Sequence, residues 1–436
     1  MGGDGHSRGD GRARGPPRVL PLAGPASTLS ELAPRFQRNR DPGEEQRATT
    51  LELFYDLVFV FAITQVSHLL LLDLSWEGAG EAAVALLVVW WAWNYTTWVT
   101  NELDPDSTVV RLLLIAIMLA SLLMAVAIPD AFGPRALLFA GSYVAIQVGR
   151  HAFLTFAAAR PGTIERERSL AILIWLSAAG GFWIAGALAD DGTRVALWLV
   201  ALAIDYLGPV ALYRVPGRTR LAPGTWDVET SHFAERFQLF MIIALGESIV
   251  LTGATTADLD LDAARLTAFA LAFLGTAALW WLYFGYVANI AARRLELASS
   301  RRTVLARDGY TYLHVVMVAG IIGWAVGDEL VIAHPTDELS TPGVVVLVAG
   351  PAVYLLGHVL FRLRMAGSLS RRRLAGAAAC IAVGALGAIA PGIVLVALLV
   401  GVLVGVIASE RIAEARRRAR GEPSPMERLE SRGADE

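Results

Sequence analysis

Leu114–Pro129 reads LIAIMLASLLMAVAIP and Leu313–Asp328 reads LHVVMVAGIIGWAVGD; the two align without a gap, Met118 on Met317 and Ala120 on Ala319. The correspondence extends both ways. Upstream, Trp90-Trp91-Ala92-Trp93 matches Trp280-Trp281-Leu282-Tyr283, and Thr96 falls on Tyr286. Downstream, Phe139-Ala140-Gly141 answers Val348-Ala349-Gly350, and Leu199-Val200-Ala201-Leu202 answers Leu395-Val396-Ala397-Leu398. Glu52 and Phe54 fall on Glu235 and Phe237 at the start of each half. Tandem duplication in an apolar chain is the signature of a transporter or a channel.

The 436 residues are 55% hydrophobic, with a mean hydropathy of +0.52. Apolar runs of about 20 residues, enough to cross a ~30 Å hydrocarbon core, predict spans at 51–72, 82–101, 109–128, 135–157, 169–189, 195–213, 233–254, 264–289, 310–333, 343–361, 373–389 and 392–410. The fold class expected is an all-α polytopic membrane protein, with about twelve transmembrane helices as two parallel six-helix repeats. Six is even, so both halves enter the membrane in the same direction and are related by an axis along its normal. The predicted plan is a disordered tail over 1–48, a first repeat over 49–213, a linker over 214–232, a second repeat over 233–410 and a charged tail over 411–436.

Charge is ordered by position. Every basic residue is arginine, and arginines gather in the tails and in alternate loops, while Asp73, Glu77, Asp190, Asp191, Asp258, Asp260, Asp262, Asp328, Glu329, Asp337 and Glu338 occupy the opposite loops. The positive-inside bias therefore predicts a multi-pass protein of the cell's inner membrane with both termini cytoplasmic. Arg416-Arg417-Arg418 suits anionic headgroups, beside its plainer role as a topology anchor. The single cysteine, Cys380, excludes an intramolecular disulfide and a cysteine metal cluster. Nucleotide, phosphate-loop and nucleic-acid motifs are absent, no HxxxH or HExxH spacing occurs, and no cofactor or metal is expected. The partners expected are the lipid bilayer and a small solute or a proton.

Ionisable groups inside spans cost at least ~2.5–3.5 kcal/mol each at a helix centre. The first span holds Glu52 and Asp56, four apart and so on one face. The seventh holds His232, Glu235 and Arg236 near its start, and Glu247 twelve residues beyond Glu235, a rise of ~18 Å. Glu247, flanked by Gly246 and Ser248, is the hardest charge to explain as structure. Asp205 lies in the sixth span above a Gly208-Pro209 kink. Arg150 and His151 lie at the depth of Glu52 and Asp56, with His358 in nearly the equivalent place of the second half. Arg150 is expected to pair with Asp56 or Glu235. Proton coupling or substrate contact thus falls to Glu247, Asp56, Glu52 and Asp205, and a gate or ion pair to Glu235, Arg236, Arg150, His232, His151 and His358. The aromatic run Trp90, Trp91, Trp93, Tyr95 and Trp98 reads chiefly as packing between repeats.

Leu51-Glu52-Leu53-Phe54-Tyr55-Asp56-Leu57-Val58-Phe59-Val60, with His232-x-x-Glu235-Arg236-Phe237 and Ile243-Ala244-Leu245-Gly246-Glu247-Ser248, resembles the bacterial low temperature requirement protein A family over about residues 47–410. The resemblance implies a multi-pass inner-membrane protein associated with growth in the cold, and marks Glu52, Asp56, His232, Glu235, Arg236 and Glu247 as the family's polar signature. It brings no settled substrate. A fainter similarity, to lysosomal potassium channels of two six-helix repeats, rests on Phe54-Tyr55-Asp56; Leu239 stands where the second aspartate would fall. The function expected is a proton-coupled secondary transporter of a small solute and not an enzyme, with a channel or leak pathway, or a membrane sensor or enzyme of cold adaptation, as alternatives.

Overall fold

The computed structural model describes residues 1–2, 36, 47–226, 228–257, 259–285, 287–298 and 301–433. The chain divides into Met1–Arg35 and Phe36–Glu436, and every described helix lies in the second unit. Most of the expected N-terminal tail, together with Asp258, Tyr286 and residues 434–436, lies outside the described residues.

The helices are α1 Thr50–Leu72, α2 Trp76–Thr100, α3 Thr108–Ala127, α4 Ala136–Phe153, α5 Ile164–Leu188, α6 Asp191–Leu207, α7 Thr230–Ala257, α8 Ala263–Phe284, α9 Val287–Leu297, α10 Arg302–Leu305, α11 His314–Ala333, α12 Thr341–Ala366, α13 Arg371–Val383, α14 Gly392–Ala419 and α15 Pro425–Gly433. Among the described residues there is no β-strand, as expected where lipid forbids unpaired backbone. Nine stretches of helix among the described residues are long and apolar enough to cross a membrane. The remaining three predicted spans are also helical: α4, of 18 residues, continues into a π-helical turn over Leu154–Ala158, while α6 at 17 residues and α13 at 13 are shorter. The charged C-terminal extension is continuous with α14, and Pro391 is the N-cap that separates α14 from α13.

Helix starts follow cap chemistry. Ser75, Thr163, Asp190, Asp262 and Ser340 each accept from a backbone N–H in the first turn of α2, α5, α6, α8 and α12. Small residues set the closest helix approach. A Cβ on Gly350 of α12 would stand 2.4 Å from the Trp324 backbone nitrogen, and one on Gly320 of α11 2.5 Å from that of Tyr354. Such small-residue seams let backbones meet in a medium that supplies no hydrophobic drive between helices.

Within this bundle α1 packs on α2, α3, α7 and α11, and α7 packs on α1, α8 and α11. α1 and α7 therefore touch. The tryptophans of α2 fill that contact: Trp93 lies 4.3 Å from Phe240 and 5.0 Å from Phe237, and Trp90 5.2 Å from Phe240, between ring centroids. Their counterparts differ. Trp280 and Trp281 are each 45% exposed, so α8 turns outward the positions that α2 buries.

Candidate functional site

Thr49 and Glu52 fix the start of α1 by capping each other: Glu52 Oε2 accepts from the Thr49 amide and hydroxyl, each at 2.9 Å, and Thr49 Oγ1 accepts from the Glu52 amide. The other oxygen, Oε1, lies 2.8 Å from His232 Nε2 on α7. The Asn101 amide donates to His232 Nδ1 at 3.1 Å, so the ring carries its proton on Nε2 and donates it to Glu52.

One turn deeper, Asp56 Oδ1 accepts from Arg236 Nη2 and from Trp93 Nε1, both at 2.8 Å. The guanidinium lies 5.9 Å from the Trp93 ring centroid, near enough for a cation–π contribution. Asp56 Oδ2 and Arg236 Nε and Nη1 have no hydrogen-bond partner among the described residues.

Deeper again, Glu247 Oε2 accepts from the Thr64 hydroxyl at 2.5 Å, and Ser67 faces the same carboxylate. Glu329 of α11 lies within electrostatic reach of it, and Oε1 of Glu247 is unpartnered among the described residues. Glu52, Asp56, His232, Arg236 and Glu247 are at most 2% exposed. Three cross-helix contacts thus ladder the α1–α7 seam from its start to its middle. Gly246, expected to admit a close neighbour, has nothing within 4 Å of where a Cβ would stand.

The remaining predicted residues sit elsewhere. Glu235 accepts from the Ala48 backbone amide at 2.8 Å and so ties down the entry to α1. Arg150 pairs with neither Asp56 nor Glu235; that expectation is corrected. Its Nη1 donates to Thr96 Oγ1 at 2.8 Å and its Nη2 to Gln147 Oε1. Gln147 donates to Tyr143 at 3.0 Å, and Tyr143 to Asp205 Oδ2 at 2.8 Å, where Trp183 also donates at 3.1 Å. The carboxylate linked to Arg150 is therefore Asp205, through two neutral side chains. The physical reason is that Arg236 and Trp93 already donate to Asp56 Oδ1 and the Ala48 amide to Glu235, so Arg150 donates to Thr96 and Gln147 instead. His358 lies in the second half against Tyr354 and Tyr283, at 4.6 Å and 5.9 Å between centroids, apart from the seam. Asp328 and Glu329, grouped with the acidic loops although inside the span predicted over 310–333, belong to α11, with Asp328 1% exposed.

A cavity of about 100 Å3 lies where α2 ends, lined by Asn94, Tyr95, Trp98, His151, Tyr213 and Trp226 among others. Irregular backbone borders it on three sides: the π-helical turns Leu154–Ala158 and Ala306–Leu313, and the pair Leu212 and Tyr213 at φ 51° and 50°. Such π turns and left-handed residues gather at functional sites. α2 joins the two regions, for Trp93 donates to Asp56 while Asn94 and Tyr95 face the cavity.

Gln147 and Tyr143 were missed from sequence, although their i, i+4, i+7 spacing with Arg150 places all three on one face of α4. No clusters of three or more His, Cys, Asp or Glu able to hold a metal occur among the described residues.

Residues 47–408 match the family described as bacterial low temperature requirement A protein. An uncharacterized protein of Rhizobium meliloti (strain 1021) is 38% identical over 315 residues, covering 72% of this chain and 76% of that protein. No solved structure matches.

Proposed function

We propose, for a chain that belongs to the bacterial low temperature requirement A family, that this membrane protein is a proton-coupled secondary transporter of a small solute. The observation that carries the reading is Glu247: a carboxylate near the middle of α7, fully buried, bonded on one oxygen by Thr64 and unpartnered on the other among the described residues. Buried ionisable groups in spanning helices are functional candidates by default. Glu247 takes up and releases the proton, and Asp56 is the second exchanging group. The Asp56–Arg236 pair closes the arginine-rich end of the seam when the carboxylate is charged and loosens when it is protonated, since the attraction then disappears. The cavity beside α2 holds the solute on that side.

The topology proposed with it is twelve crossings in two parallel six-helix repeats, both termini on the cytoplasmic side of the inner membrane. Its support is that each predicted span overlaps a helix and that the arginines gather at the end where α2, α12 and α14 finish. Cold adaptation follows if the solute moved sets membrane or osmotic balance.

The test is pH-jump fluorimetry on sealed proteoliposomes of the full chain across monovalent ions and small neutral, acidic and basic solutes. Proton movement that depends on one solute is the expected result. Currents through single open pores, without a saturating solute dependence, would replace the transporter with a channel.

A further inference from the structure

At the end of the bundle where α12 and α14 finish and α13 begins, a second cleft encloses about 690 Å3. Nine arginines line it against two glutamates, Glu410 and Glu414. Several are neutralised locally: Arg373 by Glu410 at 2.9 Å, Arg364 by Asp308 at 2.8 Å and Arg411 by Glu414 at 3.5 Å. Arg294, Arg372, Arg417 and Arg428 have no acidic partner within 4.0 Å among the described residues, although they come from four different helices and converge on one cleft.

A second observation points the same way. The first turn of α13 carries Arg371, Arg372 and Arg373 and no acid, the reverse of what a helix N-terminus favours, because its unpaired N–H groups already present positive charge. Topology alone asks for arginines at this end; it does not ask that they converge on one cleft, where like charges repel. An anion held between them removes that repulsion, and guanidinium forks match phosphate oxygens in pairs. One wall is apolar, made by Trp281, Leu282, Leu363 and Ile407, with Arg411 5.5 Å from the Trp281 ring centroid.

We propose that this cleft binds a phosphate-bearing anion, with Arg294, Arg372, Arg417 and Arg428 as its ligands. The shared chemistry is a phosphate group, whether on an anionic phospholipid or on a soluble polyphosphate, and the site is independent of the transport reading.

The test is native mass spectrometry and thermal melting of the detergent-solubilised full chain, titrated separately with a phosphatidylglycerol, a phosphatidylcholine and inorganic tripolyphosphate. The variant is R372Q/R417Q, and the control is R160Q/R166Q, which removes the same charge away from the cleft. Expected is saturable binding of phosphatidylglycerol or tripolyphosphate, weakened at least about tenfold in R372Q/R417Q and unchanged in the control. Phosphatidylglycerol binding alone identifies the lipid as the source; tripolyphosphate alone, or its displacement of the lipid, identifies the phosphate itself. Should R372Q/R417Q not be monodisperse, R428Q carries the comparison in its place. Equal binding by variant and wild type, phosphatidylcholine binding as well as phosphatidylglycerol, or no binding of either anion overturns the proposal.

Discussion

Arg236 on α7 and Asp56 on α1 meet at 2.8 Å, both buried, so the two helices are joined by an ion pair. The pair is flanked by a histidine–glutamate contact toward the helix starts and a threonine–glutamate contact toward the middle.

Removing one partner leaves a charge buried and alone. Asp56→Asn is expected to lower stability by about 3–5 kcal/mol, whereas the double replacement Asp56→Leu with Arg236→Met costs less than either single change, because desolvation offsets much of the attraction. Thermal melts of the detergent-solubilised variants check this. A double variant less stable than both singles would mean that the pair is not the local source of stability.

Arg150 and Asp205 are linked only through Gln147 and Tyr143. A double-mutant cycle of Arg150→Met and Asp205→Asn should show coupling of about 0.5–3 kcal/mol, the range for residues of one network. The cycle of Arg150→Met with Glu235→Gln should show almost none. Swapped results would restore the direct pairing expected from sequence.

The buried tryptophans of α2 and the exposed ones of α8 carry different weight. Trp93→Phe removes a hydrogen bond to a charged carboxylate, worth about 1.5–3 kcal/mol, while Trp280→Phe, at 45% exposure, should stay within about 0.5 kcal/mol of wild type. Comparable melting shifts in the two variants would contradict the difference in burial.

Among glycines, Gly350→Ala places a Cβ against the backbone of Trp324 and should cost about 1–3 kcal/mol or more. Gly246→Ala meets nothing and should stabilise α7 by up to about 1 kcal/mol through helix propensity. Melting temperatures moving in the same direction would refute the packing account of these positions.

Much of this was legible in the chain. Apolar runs located every long helix, and the cost of charge in lipid singled out Glu52, Asp56, His232, Arg236 and Glu247, which the fold brings onto one seam. The pairing of Arg150 was not legible, because two arginines and several carboxylates lay at one depth and only helix rotation decides which meet. Asp328 and Glu329 fall inside the span predicted over 310–333 yet were grouped with the acidic loops, because acidic residues at a span's edge look like a loop, although Trp324 and Asp328 stand one helical turn apart. The cavity was invisible for another reason: its borders are π turns and left-handed residues, which no hydrophobic period announces.

The most direct test of Glu247 as the proton carrier compares wild type, Glu247→Gln and Glu247→Asp in sealed proteoliposomes, at matched reconstitution and melting temperature. Solute-dependent proton movement is expected in wild type, with its loss in Glu247→Gln and partial retention in Glu247→Asp. Undiminished proton movement in Glu247→Gln would contradict that role.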